Sequence, residues 1–179
     1  MRCVLSGISL SFLVSSGGFA LAEKETQIDH QGGEAMKLTS SAFEHNQMIP
    51  SKFTCEGEDV NPTLNISEIP PEGKFLALIV DDPDAPMGTW VHWVVFNIPV
   101  TAAIEENSRP GLQGINDFGR RDYGGPCPPS GTHRYFFKIY ALDTKLDLKE
   151  GISKAQLEKA MQGHILAQGE LIGLYKKKR

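Results

Sequence analysis

The sequence lacks a long basic stretch, which bears first on nucleic-acid binding. Among its 179 residues, 18 are Lys or Arg and 22 are Asp or Glu, so the formal net charge is −4. The one basic run is the terminal Lys176–Arg179, which is typical of a solvated chain end. Because nucleic-acid binding depends on clustered basic side chains, we expect no nucleic-acid partner.

Several signatures of catalysis are missing as well. The sequence contains no nucleophile elbow, no Walker loop and no zinc-type spacing of Cys and His. It does contain His and Asp residues that could bind a metal, but nothing in their spacing demands one. We therefore predict no catalytic residue, no metal site and no cofactor.

No apolar run is long enough to cross a bilayer. The N-terminus instead has Arg2, a short apolar segment from Val4 to Val14, and the small-residue sequence Ala20-Leu21-Ala22. This pattern predicts a signal peptide over residues 1–22, and hence a periplasmic or secreted protein with no transmembrane segment in the mature chain. The alternative is an internal start at Met36 behind a disordered leader.

Beyond the signal peptide, the polar residues 23–35 predict a flexible leader. From Met36 the pattern becomes globular, so we expect one domain over residues 36–179.

Cysteine is scarce, with three residues in the chain. Cys3 would leave with the signal peptide, so that Cys55 and Cys127 remain. Two cysteines in an oxidising compartment favour one disulfide. Two separate thiols, kept for packing, are the alternative.

Three segments predict strong strands. Residues 75–80 form a continuous apolar run, as expected of a strand covered on both faces. Residues 90–98 and 134–142 are rich in aromatic and β-branched side chains. Weaker strands are predicted at 37–43, 63–66 and 169–175.

One helix is predicted, over residues 154–167. Ser153 is placed to cap it with Gln156 three residues on, and Gly169 can end it. Many strands and one late helix indicate an antiparallel β fold with helical decoration.

Acidic residues follow the first strong strand, where Asp81, Asp82 and Asp84 lie beside Pro83 and Pro86. The prolines predict a stiff loop that presents carboxylates in fixed directions. Ordinary Asp-Pro turn chemistry explains the same residues and is the favoured interpretation of this segment taken alone.

The next strand carries a histidine among aromatic residues. Strict alternation predicts that Trp90, His92 and Val94 share one face and that Trp93 faces the other way. If the acidic loop contacts His92, a carboxylate would raise its pKa and favour the cation. A satisfied core histidine is the alternative.

The glycine–proline loop, residues 123–131, combines close-approach glycines with stiffening prolines. Successive N–H groups in such a loop can form a nest for an anion. His133 and Tyr135 lie two residues apart just beyond it and face the same way. The N–H donors available for such a nest are those of Gly125, Cys127, Ser130 and Gly131. A rigid crossover loop without a ligand is the alternative.

These segments together resemble two signatures of a known family. Asp82–Pro86 with Trp90–Val95 and Asn97-Ile98-Pro99 resembles the first signature of phosphatidylethanolamine-binding proteins. Tyr123–Pro129 with His133-Arg134-Tyr135 resembles the second. The match is closest to the bacterial branch called Raf kinase inhibitor-like proteins and extends from about Met36 to Tyr175.

The resemblance implies a mainly β fold of two packed, antiparallel-rich sheets with few peripheral helices. It also implies a shallow pocket for phosphate-like or carboxylate anions, in a family to which no catalytic turnover is generally assigned. Cys55 would pair with Cys127 in the pocket loop. The residues carried over to the pocket are Asp82, Asp84, Pro86, Trp90, His92, Gly125, Pro126, Cys127, Pro128, His133 and Tyr135.

The first functional hypothesis is an exported, non-catalytic binder of a small anion or phospholipid head group. The second is a protein-directed inhibitor or modulator of an envelope enzyme, which would add a protein partner. The third is a hydrolase that uses Asp and His as acid and base. The sequence does not decide whether the protein forms a homodimer. Because the chain has an export signal pattern, the kinase-inhibitor role of eukaryotic members is not transferred.

Overall fold

The structure is a computed structural model that describes residues 34–178. The predicted signal peptide and most of the predicted leader lie outside the described residues. The last two residues of that leader, Glu34–Ala35, form a short strand that pairs in parallel with the last strand of the fold.

Within the described residues there are ten strands, one short 3-10 helix (Ser51–Phe53) and one α-helix. In chain order they are β1 (Glu34–Ala35), β2 (Lys37–Ser40), β3 (Gln47–Met48), β4 (Leu64–Ser67), β5 (Phe75–Asp82), β6 (Trp90–Pro99), β7 (Ala103–Ile104), β8 (Leu112–Gln113), β9 (His133–Leu142), α1 (Lys154–Met161) and β10 (Ile165–Tyr175).

The larger sheet has seven strands in the order β1-β10-β9-β5-β6-β8, and β3 also pairs with β10. Its centre is formed by β9, β5 and β6, the three strong strands predicted from the sequence, and they pair antiparallel. Leu76 to Val80 on β5 are at most 1% exposed, because both faces of this sheet are covered. Such burial explains the continuous apolar run in the sequence.

A second sheet, in the order β2-β4-β7, covers one face of the larger sheet. Leu38, Leu64 and Ile104 from this sheet pack in one cluster with Leu78 and Phe137 from the larger one. On the opposite face, α1 contributes Leu157 and Met161 to a second apolar cluster. The predicted mainly β fold of two packed sheets is confirmed.

The prediction places the start of the helix correctly, at Lys154, but extends its end beyond the observed last residue, Met161. Ser153 and Gln156 form the expected capping box. The helix stops at Met161, because Gly163 adopts a φ of +79° that glycine accepts readily. Residues 165–167, predicted as helix, start β10 instead, and Gly169 lies inside that strand.

The predicted alternation along β6 is wrong at His92. Asp81 on β5 pairs with Val91, and the next β5 residue, Val80, pairs with Trp93. His92 is therefore the extra residue of a β-bulge, which shifts the facing of the residues that follow, up to a second irregularity between Val95 and Ile98. Trp93 consequently packs in the cluster between the sheets, whereas Val94 packs under α1.

No helix within residues 34–178 is long and apolar enough to span a membrane.

Candidate functional site

A cavity of about 390 Å³ opens where β5 ends and where β6 and β9 begin. Its floor is formed by side chains from these strands. Its sides come from the aspartate loop (residues 82–88), the glycine–proline loop and the connection before it. The lining residues are Asp82, Ala85, Pro86, Met87, Trp90, His92, Phe118, Cys127, Pro128, Pro129 and Tyr135.

Asp82 lies at the last position of β5 and is only 3% exposed. One carboxylate oxygen accepts the backbone N–H of Asp84 at 2.8 Å. The other lies 2.8 Å from Nδ1 of His133, which is itself buried. Both oxygens therefore have partners inside the protein, as a buried carboxylate requires.

Asp84 turns away from the cavity toward Arg134. Its carboxylate accepts hydrogen bonds from Nε and Nη2 of Arg134, at 2.8 and 2.6 Å. It also accepts the backbone N–H of Arg134 at 3.0 Å. The side-chain bonds to Arg134 contribute most to lowering the pKa of Asp84 to about 2. Asp84 thus anchors the aspartate loop to β9.

His92 is 3% exposed and contacts no carboxylate directly. Its Nδ1 donates to the carbonyl oxygen of Gly124 at 2.6 Å. Burial lowers the pKa of His92, and the Gly124 bond and the nearby acids only oppose that effect. The condition stated for a raised pKa of His92, a contact with the acidic loop, is therefore not met by a hydrogen bond within the described residues. The bulge sends the ring to Gly124, and Asp82 bonds His133 instead.

Tyr135 is a fully buried polar residue of the cavity floor. Its side chain is fully buried, and burial first and the charge of Asp82 second raise its pKa. Its hydroxyl has no hydrogen-bond partner within the described residues. Asp82 and the backbone N–H of Cys127 lie near it without forming a bond of acceptable geometry. A buried hydroxyl left unpaired in this way is uncommon, and at a cavity floor it offers a contact to a ligand.

The glycine–proline loop is joined to the N-terminal part of the domain by a disulfide between Cys55 and Cys127. The backbone N–H of Cys55 donates to the carbonyl of Pro126 at 3.2 Å. The N–H of Gly125 donates to Asp59 at 2.6 Å, so it is not available to a ligand. The predicted nest therefore lacks one of its donors, the N–H of Gly125. Among the predicted donors, Cys127 is the one whose N–H lies beside the Tyr135 hydroxyl.

The structure brings together most of the residues predicted for the pocket. Asp84, Gly125, Pro126 and His133 do not line the cavity. His133 and the N–H of Asp84 bond the lining residue Asp82, whereas Gly125 and Pro126 bond Asp59 and Cys55 outside it. The predicted residues that line it are Asp82, Pro86, Trp90, His92, Cys127, Pro128 and Tyr135.

Four lining residues were missed in the sequence. Ala85, Met87 and Pro129 lie within or beside the two motifs, so extending each motif by its loop neighbours would have found them. Phe118 belongs to the connection between β8 and β9. Its ring packs edge-on against Trp90 and His92, and no periodic pattern marks it.

The model of the family described as phosphatidylethanolamine-binding protein matches residues 39–176, which contain both motifs and the whole cavity. This chain belongs to the phosphatidylethanolamine-binding protein family. A UPF0098 protein of Pyrococcus horikoshii is 52% identical over 159 residues, covering 82% of this chain and 80% of the relative. A UPF0098 protein of Chlamydia muridarum is 48% identical over 147 residues, covering 78% and 98%.

Solved structures show the same fold. A phosphatidylethanolamine-binding protein homologue of Chlamydia trachomatis has a TM-score of 0.78 and 45% identity, over 80% of this chain and 99% of its own. YbcL of E. coli, a member of the mammalian phosphatidylethanolamine-binding protein family, has a TM-score of 0.75 and 30% identity, over 81% and 100%.

The site of this phosphatidylethanolamine-binding protein family member has few polar groups facing a mostly apolar cavity. They are the Tyr135 hydroxyl, the His92 ring, the Asp82 carboxylate and the Cys127 N–H. Among residues 34–178, no group of three or more His, Cys, Asp or Glu is arranged to hold a metal ion. A few convergent polar groups in an apolar cavity are typical of a binding site for a small ligand.

Proposed function

We propose that this protein is an exported, non-catalytic binding protein whose cavity takes a small anionic group, such as a phosphate or a lipid head group. The observation that carries the proposal is the buried, unpaired hydroxyl of Tyr135 at the cavity floor. A ligand oxygen placed there would accept the hydroxyl hydrogen and, beside it, the N–H of Cys127.

The charges near the cavity support this proposal. Two aspartates would repel an anion if both were free. Asp84 is paired with Arg134, and Asp82 is bonded to His133 and to a backbone N–H. Because each carboxylate already has its donors, the repulsion that an arriving anion meets is reduced.

The test is an NMR titration of the chain from Met36 onward with inorganic phosphate and with phosphoethanolamine. We expect shift changes at Tyr135, His92 and Cys127, and a weaker response in Tyr135→Phe, which removes the hydroxyl and keeps the ring. Lys149→Ala, an exposed change away from the cavity, serves as the control. If neither ligand shifts the cavity residues at millimolar concentration, the proposal is wrong.

Export is part of the same proposal and rests on the sequence of residues 1–22. Expression of the full chain in a bacterial host, followed by fractionation and mass measurement, tests it. We expect a periplasmic product that begins at Glu23. An intact product confined to the cytoplasm would leave the cavity proposal standing without export.

A protein-directed modulator is the second candidate, and the apolar rim of the cavity favours it. Met87 is 98% exposed, Phe118 is 41% exposed and Trp90 is 36% exposed. Exposed apolar side chains grouped in this way are frequent at protein interfaces. Crosslinking in periplasmic extract should then give a specific product that is lost in Phe118→Ser and kept in Tyr135→Phe.

A hydrolase is the remaining alternative, with the His133–Asp82 pair as its acid–base group. A screen of ester and phosphate substrates with Asp82→Asn as the control tests it. We expect no turnover above that of the variant.

A further inference from the structure

The hydrogen bond between His92 and Gly124 fixes which ring nitrogen of His92 carries hydrogen. A backbone carbonyl oxygen can only accept, so Nδ1, which lies 2.6 Å from it, must be the donor. In the neutral ring Nε2 is then an acceptor with a free lone pair. Among the described residues the ring's hydrogen bond is the one through Nδ1, and the ring lines the cavity.

The cavity floor therefore presents both kinds of hydrogen-bonding group. The Tyr135 hydroxyl and the Cys127 N–H can donate, whereas Nε2 of His92 can accept. A fully deprotonated oxyanion has only acceptors, so its oxygen would face the lone pair of Nε2. An oxyacid that keeps one hydrogen satisfies all three groups at once. The fourth polar group of the cavity, the Asp82 carboxylate, is already bonded to His133 and to the Asp84 N–H, and its negative charge also disfavours a doubly charged ligand.

We propose that the cavity selects an oxyacid that carries a hydrogen of its own, such as a singly protonated phosphomonoester, and that Nε2 of His92 accepts that hydrogen. This inference rests on the proposed anion-binding function and assigns the specificity to His92. It distinguishes a phosphomonoester from the phosphodiester of an intact lipid head group, which has no hydrogen to donate from its phosphate.

The surroundings of His92 favour the neutral ring and the less charged ligand. Burial lowers its pKa. Asp82 and Asp81 from β5 and Asp117 from the connection before β9 only partly oppose the effect of burial. The cation on the elements next to the ring is Arg120, which donates to the Tyr123 carbonyl and lies 5.7 Å over the Phe118 ring. From β9, Tyr135 packs edge-on against the ring with centroids 5.1 Å apart, and His133 of the same strand is bonded to Asp82.

The test compares two ligands that differ in the number of ester bonds. Phosphoethanolamine is a monoester, and glycerophosphoethanolamine is the diester of a lipid head group without its chains. At about pH 6, near the second pKa of a phosphomonoester, we expect the monoester to bind tighter by about tenfold or more. Above about pH 7 its affinity should fall about tenfold per pH unit, because binding takes up one proton. Calorimetry in buffers of different ionisation enthalpy should count that proton, and diester affinity should change little with pH.

The variant His92→Asn keeps an amide that can donate to Gly124 and removes Nε2. It should lose both the monoester preference and the pH slope. Tyr135→Phe should weaken the monoester at every pH and keep the slope. If His92→Asn does not fold, the ¹⁵N signal of Nε2 in the unaltered protein reports whether it stays unprotonated and accepts a hydrogen bond on binding.

The possible results separate the two proposals. If the diester binds as tightly as the monoester, or the monoester affinity does not depend on pH, the inference fails and the binding function stands. If a protonated Nε2 accompanies the bound ligand, the inference fails as well. If neither ligand binds at any pH, both proposals fail together.

Discussion

The two loops that enclose the cavity are held in place by different means. The glycine–proline loop is covalently joined to Cys55 through Cys127, and the N–H of Gly125 is bonded to Asp59. The aspartate loop has no covalent anchor. Asp82 and Asp84 fix its first residues, while Met87 near its end is 98% exposed.

This difference separates a fixed side of the site from an adaptable one. The fixed side places Cys127 and its N–H at the floor, where position matters for hydrogen bonding. The adaptable side places the apolar side chains of Ala85 and Met87 at the mouth, where contact is less directional. Ligand recognition at the floor and partner contact at the rim can therefore be altered separately.

The largest effect should come from removing the covalent anchor. The disulfide joins residues that are 72 positions apart in the sequence. The free energy of unfolding of the double variant Cys55→Ser, Cys127→Ser should therefore be about 4 kcal/mol lower than that of the oxidised protein. Chemical denaturation measures this, and thiol counting on the native protein should find no reactive thiol at either position. Reduced native protein should match the variant. Equal stability of the oxidised protein and the variant would contradict the anchor.

A second change tests the same loop without touching the disulfide. A Cβ on Gly125 would lie 2.6 Å from the carbonyl oxygen of Phe53 and 2.8 Å from the Cα of Thr54. Because backbone atoms cannot move aside cheaply, Gly125→Ala should lower the free energy of unfolding by about 2 kcal/mol. Thermal and denaturant unfolding measure it. A change below about 0.5 kcal/mol would mean that the loop is not held this tightly.

The aspartate loop should respond less and in a pH-dependent way. The folded pKa of Asp84 is about 2, below the ordinary value of 3.8 for an aspartate. Its contribution is present above the unfolded value and is lost as the pH falls through the folded value. Because the pair is largely exposed, Asp84→Asn should cost about 1 kcal/mol at neutral pH, and the cost should shrink as the pH falls toward about 2. Unfolding at several pH values measures the difference, and a constant difference across the range would contradict it.

Strand positions could be predicted where burial leaves a continuous apolar run, as in β5, or an aromatic-rich run, as in β6 and β9. The end of α1 could not, because the apolar spacing runs on through Ile165 while the backbone conformation at Gly163 stops the helix. Helical spacing of apolar residues indicates which side chains could share a face of a helix. It does not indicate where the backbone takes a positive φ, as it does at Gly163.

The site shows the same limit. The two motifs indicate which residues meet, but they do not give the partner of each. Alternation alone could not place the bulge at His92, so Gly124 as its partner could not be foreseen. Phe118 comes from an irregular segment, where only the three-dimensional path brings it to the cavity.

The smallest effect on stability should come from Met87, at the exposed mouth. Met87→Ser removes an apolar side chain that is 98% exposed, so the free energy of unfolding should stay within about 0.5 kcal/mol. Phosphoethanolamine affinity should also stay within about threefold, because the floor groups that bond the ligand are unchanged. If the rim is a protein interface, the same variant should reduce crosslinking to a partner. A large loss of small-ligand affinity would instead mean that Met87 holds the ligand together with the floor, and the contrast between the two loops would no longer hold.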